Sequence, residues 1–121
     1  MQENDKLFVY GTLRINGSAS HLMKDALLIE EGIQIPNYKM YSCGDYPTVE
    51  PSLDAADKIV GDIFIVPKKL FIELDIYEDL ASEEYKRIWD IINTFYIYLS
   101  GNNPSKNLIP VKSGDWCKFI Y

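Results

Sequence analysis

Histidine and cysteine are almost missing from this sequence of 121 residues, which holds one histidine, His21, and two cysteines, Cys43 and Cys117. A lone histidine rules out paired-histidine zinc sites and leaves one imidazole at most for a catalytic triad. The cysteines stand too far apart for a metal-spaced pair or a redox motif, and a cytosolic setting disfavours joining them, so both are expected reduced and partly buried. No glycine-rich phosphate loop of the Walker or dinucleotide type is present. No apolar run approaches the ~20 residues that cross a bilayer, and no charged leader precedes one. The expectation is a cytoplasmic protein with no membrane partner. Positive charge is also scarce: 12 Lys and Arg face 18 Asp and Glu, a net −6, with only Lys68 and Lys69 adjacent. That argues against nucleic acid as partner, since phosphate binding needs a basic face. Acid–base chemistry here should therefore fall to a carboxylate, a tyrosine or a lysine.

What remains is a globular composition, 47% hydrophobic and 13% aromatic, in a chain long enough for one domain, 1–121, with its own core. There is no internal repeat and no low-complexity segment. Residues 1–6 are polar and expected to fray. Lys6 to Tyr10 reads as a short buried strand ended by Gly11. Ser18 or Ser20 is placed to cap a short helix through about Leu28. Ile29–Ile35 and Tyr38–Cys43 lean to strand. Tyr46-Pro47-Thr48-Val49 reads as an edge strand, because proline cannot donate to a central ladder. Ile59–Val66 is a strong strand, rich in β-branched and aromatic residues. Pro67 stops it and opens a helix running to about Leu80. Tyr85–Ile92 and Thr94–Ser100 read as two strands, Gly101–Ser105 as a loop, and Gly114-Asp115-Trp116 as a turn into a last strand, Cys117–Tyr121. The sum is an α+β domain: a small mixed sheet, curled into a barrel, with two or so short flanking helices.

Four places could carry chemistry. The turn Tyr10-Gly11-Thr12-Leu13 follows a hydrophobic strand; Gly11 allows a sharp bend, successive N–H groups can converge on an anion, and Thr12 adds a hydroxyl. It is either such a cradle or an ordinary strand-to-loop turn. Glu78 falls on the helical stripe of Phe71 and Leu74, whereas Asp75 and Asp79 fall on other faces and are expected solvated. A carboxylate against apolar neighbours has its pKa raised, which suits a general base and acid. The alternative is a glutamate whose stem covers the core while its head reaches water. Tyr85 and Arg87 share one face of a strand, to be turned toward a ligand or simply to dress an edge. His21 lacks an obvious partner.

Taken in order, these residues resemble the gamma-glutamylcyclotransferase-like family, especially its gamma-glutamylamine cyclotransferase branch and small prokaryotic relatives. Leu7-Phe8-Val9-Tyr10-Gly11-Thr12-Leu13-Arg14 is similar to the family's opening motif, and Leu74-Asp75-Ile76-Tyr77-Glu78 to the segment carrying its catalytic glutamate. Tyr46-Pro47, Val60-Gly61-Asp62-Ile63-Phe64, Tyr85-Lys86-Arg87 and Gly114-Asp115-Trp116 match weaker features. One departure is Asp62, where a glutamate is commoner. The resemblance implies a cyclotransferase that releases 5-oxoproline from a gamma-glutamyl amine or peptide. Glu78 would be the general base and acid, and Tyr10, Gly11, Thr12, Leu13 and Tyr85 would bind substrate. No metal or organic cofactor is implied. The rival expectation is a non-catalytic module binding a gamma-glutamyl-like metabolite. The leaving group and the oligomeric state are not legible.

Overall fold

The uninterrupted apolar run Leu7-Phe8-Val9 becomes the middle strand of a five-stranded sheet in a computed structural model, which describes residues 4–15, 17–44, 46–78, 85–101 and 108–120. This strand, β1 (Asn4–Val9), starts two residues before the expected point. Its second half, Leu7-Phe8-Val9, is wholly apolar and buried because both faces are covered there, while Asn4, Asp5 and Lys6 are polar. Phe8 and Tyr10 enter one core cluster, Leu7 and Val9 the other. The remaining strands are β2 (Leu27–Pro36), β3 (Tyr38–Ser42), β4 (Pro47–Pro51), β5 (Lys58–Pro67), β6 (Tyr85–Asp90), β7 (Phe95–Ser100) and β8 (Ile109–Pro110). The larger sheet runs β2-β5-β1-β7-β6 and the smaller β4-β3-β8. Strand β1 pairs antiparallel with β5 and parallel with β7, so the sheet is mixed, as expected.

No sheet closes into a barrel. Closure would require β2 to pair with β6, and these are the two edges of the larger sheet. The chain instead leaves that sheet at Pro36-Asn37, where Asn37 adopts φ 66° in the left-handed region. Asparagine tolerates that conformation better than most residues. Strand β3 therefore starts a second sheet that packs over the first. Between the sheets lie Phe8, Ile35, Met40, Val49, Ile59, Ile97 and Trp116. Both edge strands carry exposed charge, Glu30 and Glu31 on β2 and Lys86 on β6, which discourages further strand addition.

On the other face of the larger sheet lies helix α1 (Lys68–Tyr77), held by Leu70, Phe71 and Leu74 against Leu7, Val66 and Tyr98. Pro67 is its N-cap, with extended backbone at φ −65° and ψ 147°. Asp79 and Leu80, the expected end of this helix, lie outside the described residues, as does most of the expected loop after Gly101. Around Ser20 only a 3-10 turn forms, Ser20–Met23, and no side chain caps it. The chain has turned into β2 by Leu27, so the expected helix to Leu28 is cut short. The last element is also changed: Trp116–Ile120 is a helix, α2, and not a strand. Gly114 at φ +68° turns the chain, and Asp115 Oδ1 accepts the Lys118 N–H at 3.3 Å, a side-chain cap on the first turn. Among the described residues no helix is long and apolar enough to cross a membrane.

Candidate active site

Strand β1 ends where it meets β4 and the C-terminal end of α1, and a cavity of about 330 Å³ opens there. Such a volume suits a small metabolite, at the lower end of ordinary ligand pockets. Tyr10, Gly11, Thr12, Leu13, Glu78 and Tyr85 all line it, although they come from distant parts of the chain. Tyr46, Tyr77 and Tyr98 line it too. The sequence alone assigns none of these three to a site.

The turn after β1 is tightly restricted at its first glycine. A Cβ on Gly11 would stand 2.7 Å from the Pro47 ring, so glycine lets β1 and β4 close together. The Arg14 N–H donates to the Gly11 carbonyl at 3.1 Å, and the Ala19 N–H to the Thr12 carbonyl at 2.9 Å. Among the described residues, no acceptor meets the backbone N–H groups of Gly11, Thr12 or Leu13. The following segment is tied down from behind. Arg14, buried, pairs with Asp62 at 3.4 Å and with Asp115 at 3.1 Å. Asp62 is fully buried and also accepts the N–H groups of Ile15 and Gly32. It thus fixes the loop behind the cavity and does not line it.

Glu78 is the residue after the last turn of α1. Its N–H still donates to the Leu74 carbonyl at 2.8 Å, and its backbone remains helical at φ −78°. Phe71 and Leu74 are buried below it, while Glu78 is half-buried and borders the cavity. Asp75 differs from expectation. It is not simply solvated, for it accepts the Tyr98 hydroxyl at 2.7 Å and pairs with Arg87 at 3.4 Å. That pairing turns Arg87 away from the cavity; its guanidinium lies 4.7 Å from the Phe71 ring centre and 5.1 Å from that of Tyr96. Tyr85 and Arg87 therefore separate in role. His21 is exposed on the 3-10 turn and takes no part in the cavity.

The phenols form hydrogen bonds that hold the walls. Tyr10 donates to the Tyr98 carbonyl, and Tyr85 to the Pro47 carbonyl at 2.6 Å. Tyr46 leans against Tyr85 with ring centres 6.1 Å apart. Thr12 and Tyr77 share a hydrogen bond of 2.7 Å. Burial raises the pKa of Tyr10 well above the ordinary phenol value, and the negative charge of Glu78 raises it further. Tyr85 is pushed up by burial first, then by Tyr10 and Glu78. Tyr98 is pushed up by burial, then by its bond to Asp75. All three remain neutral at physiological pH, so they act as hydrogen-bonding groups and not as bases. Among the described residues bordering the cavity, Glu78 is the one with a carboxylate side chain. Among the same residues, no group of three or more His, Cys, Asp or Glu side chains is arranged to hold a metal ion.

Comparison with known proteins shows the family and the fold that the chain shares. The family described as gamma-glutamyl cyclotransferase, AIG2-like, matches residues 7–118. The gamma-glutamylcyclotransferase family protein YtfP of Citrobacter rodentium is 32% identical over 117 residues, covering 92% of this chain and 94% of its own. The solution structure of YtfP from Escherichia coli superposes with a TM-score of 0.68 at 28% identity, covering 96% of this chain and 99% of that one. An uncharacterized Pyrococcus horikoshii protein shares the fold, with a TM-score of 0.75 at 21% identity over 96% of this chain and 92% of that one. With the opening turn and Glu78 at one cavity and the match running from Leu7 to Lys118, the chain belongs to the gamma-glutamyl cyclotransferase, AIG2-like family.

Proposed function

We propose that the protein is a cyclotransferase that releases 5-oxoproline from a gamma-glutamyl amine or peptide, with Glu78 as general base and acid. The observation that carries this reading is the placement of Glu78 and the Tyr10–Leu13 turn on one cavity of about 330 Å³. The nucleophile in this reaction belongs to the substrate. Its α-ammonium gives a proton to Glu78, and the freed amine attacks the γ-carbonyl carbon. The carbonyl oxygen becomes an oxyanion as the new C–N bond forms. When the oxyanion collapses, the bond to the leaving nitrogen breaks, and Glu78 returns the proton to that nitrogen. The ring nitrogen loses its second proton as the lactam forms, and that proton is taken up by the released amine, so a neutral lactam and an ammonium form and Glu78 ends as the carboxylate it began as.

The enzyme's work is then positioning and charge stabilisation. Well-oriented intramolecular attack can supply ~7–11 kcal/mol of barrier reduction. The N–H groups of Gly11, Thr12 and Leu13, without acceptors among the described residues, are suited to hold the α-carboxylate or the developing oxyanion. Tyr85 closes a wall. No step in this scheme calls on a cofactor.

Incubation of the protein with a panel of gamma-glutamyl amides, dipeptides and ε-lysine conjugates, with 5-oxoproline measured by mass spectrometry, tests the reaction class. Release from at least one compound is expected. Saturable binding of those compounds with no release would instead make the protein a binding module.

A further inference from the structure

Three of the cavity's phenols have already placed their only proton: Tyr10 on the Tyr98 carbonyl, Tyr85 on the Pro47 carbonyl and Tyr98 on Asp75 Oδ1. A phenol carries a single O–H, so toward a ligand these three can only accept. The pair Thr12 and Tyr77 differs. Their hydroxyls lie 2.7 Å apart and either can be the donor. Two hydrogens serve one mutual bond, so one O–H remains whichever way that bond runs.

The position of the pair gives that hydrogen a use. Thr12 belongs to the turn after β1, and Tyr77 ends α1 directly before Glu78. Both border the cavity, and Tyr77 is 44% exposed, so the pair bridges two walls at the mouth. No lysine or arginine is among the described residues lining the cavity. A ligand bringing a carboxylate and a carbonyl must therefore have its oxygens met by neutral donors. The backbone N–H groups of the turn can meet one of them; a second needs a hydroxyl.

We infer that Thr12 and Tyr77 form a substrate-binding unit that donates one hydrogen bond to a carboxylate or carbonyl oxygen of the ligand. The identity of that ligand rests on the gamma-glutamyl reading above. The unit makes Tyr77 a binding residue and gives the Thr12 side chain a role separate from its backbone. Because either hydroxyl can supply the donated hydrogen, the two are interchangeable in part. Losing one removes the mutual bond that aligns the other but leaves a donor in place. Losing both removes the donor.

The test uses N-methylglutaramate, which keeps the carboxylate and the amide of a gamma-glutamyl amide but lacks the amine, so it binds without cyclising. Its Kd is measured by calorimetry for wild type, Thr12→Val, Tyr77→Phe, Thr12→Ser and the Thr12→Val/Tyr77→Phe double variant, each checked for an unchanged melting curve. The inference predicts about threefold weakening in each single variant, about thirtyfold in the double, and near-wild-type binding for Thr12→Ser. A double variant that binds like wild type would overturn it, as would a double loss no larger than the product of the singles, or a wild type that does not bind the analogue. The separate measurement of 5-oxoproline release keeps the two ideas apart. Release with Kd indifferent to the variants removes this inference alone; the predicted Kd pattern without release removes the catalytic reading alone.

Discussion

A buried phenol that donates to a backbone carbonyl does two jobs: it shapes a wall and satisfies an oxygen that has lost water. Tyr85 is 7% exposed, and its hydroxyl meets the Pro47 carbonyl at 2.6 Å, linking β6 to β4 across the cavity. Tyr85→Phe should destabilise the protein by about 1–2 kcal/mol, because the carbonyl is left buried and unmet. Urea unfolding would check this, and an unchanged midpoint would mean that the bond contributes nothing. Arg14 is a stronger case. Replacing it with Met leaves the fully buried Asp62 without its cation, a change of the kind that costs about 3–5 kcal/mol. A soluble Arg14→Met protein with wild-type stability would contradict that account. Sequence gave access to Tyr10, Gly11, Thr12, Leu13, Glu78 and Tyr85 because of their motifs. It gave no access to Asp75 pairing with Arg87 or to Tyr77 meeting Thr12, since both contacts join residues brought together only by the packing of α1 on the sheet.

Elements were legible where the periodic signal was long. The ten residues of β5 and the ten of α1 carry dense β-branched or helical patterns and formed where expected, β5 one residue longer at each end than Ile59–Val66 and α1 starting at Lys68, one residue after Pro67. The five residues of α2 were too few for a helical period, and their aromatic content suggested a strand. The signal that could have been used was Asp115, three residues before Lys118, as a helix cap. Gly114 is required just before it. At φ +68°, with the Lys58 carbonyl oxygen 1.9 Å from where a Cβ would stand, Gly114→Ala should cost about 2–4 kcal/mol and drive part of the protein to aggregate on expression. The β6–β7 hairpin has its own lock. Burial raises the pKa of Asp90, but hydrogen bonds from the Asn93 N–H, the Tyr38 hydroxyl, the Asn93 amide and the Ile92 N–H outweigh it and hold the carboxyl below its ordinary value. With the folded pKa below the unfolded one, Asp90 contributes stability above the unfolded value of ~3.9, and that contribution is lost as pH falls through the folded value. Thermal melts at about pH 6 and about pH 2.5 should therefore show wild type and Asp90→Asn converging in acid. A constant difference across that range would remove the titration argument.

At the scale of the whole molecule, the mixed α+β character followed from strand-rich patterning with two short helices. The division into two sheets did not. It depends on a change of direction at Pro36-Asn37, and a dipeptide of that kind marks a turn without saying which sheet the next strand will join. The cavity depends on that division, because β4 of the smaller sheet supplies Pro47 against the end of β1 while α1 supplies Glu78 from the opposite face. Residue identities thus pointed to a glutamate and a turn, and the two-sheet packing gives them a shared space. The central claim is that Glu78 moves the proton in that space. The most direct measurement is the rate of 5-oxoproline release from the best gamma-glutamyl compound by wild type and by Glu78→Gln, which keeps the shape and removes the base. The account predicts a loss of at least about a hundredfold in kcat, in the range that general acid–base groups supply, with the melting temperature little changed. Near-normal kcat in a folded Glu78→Gln protein would contradict it and move the proton transfer to another group.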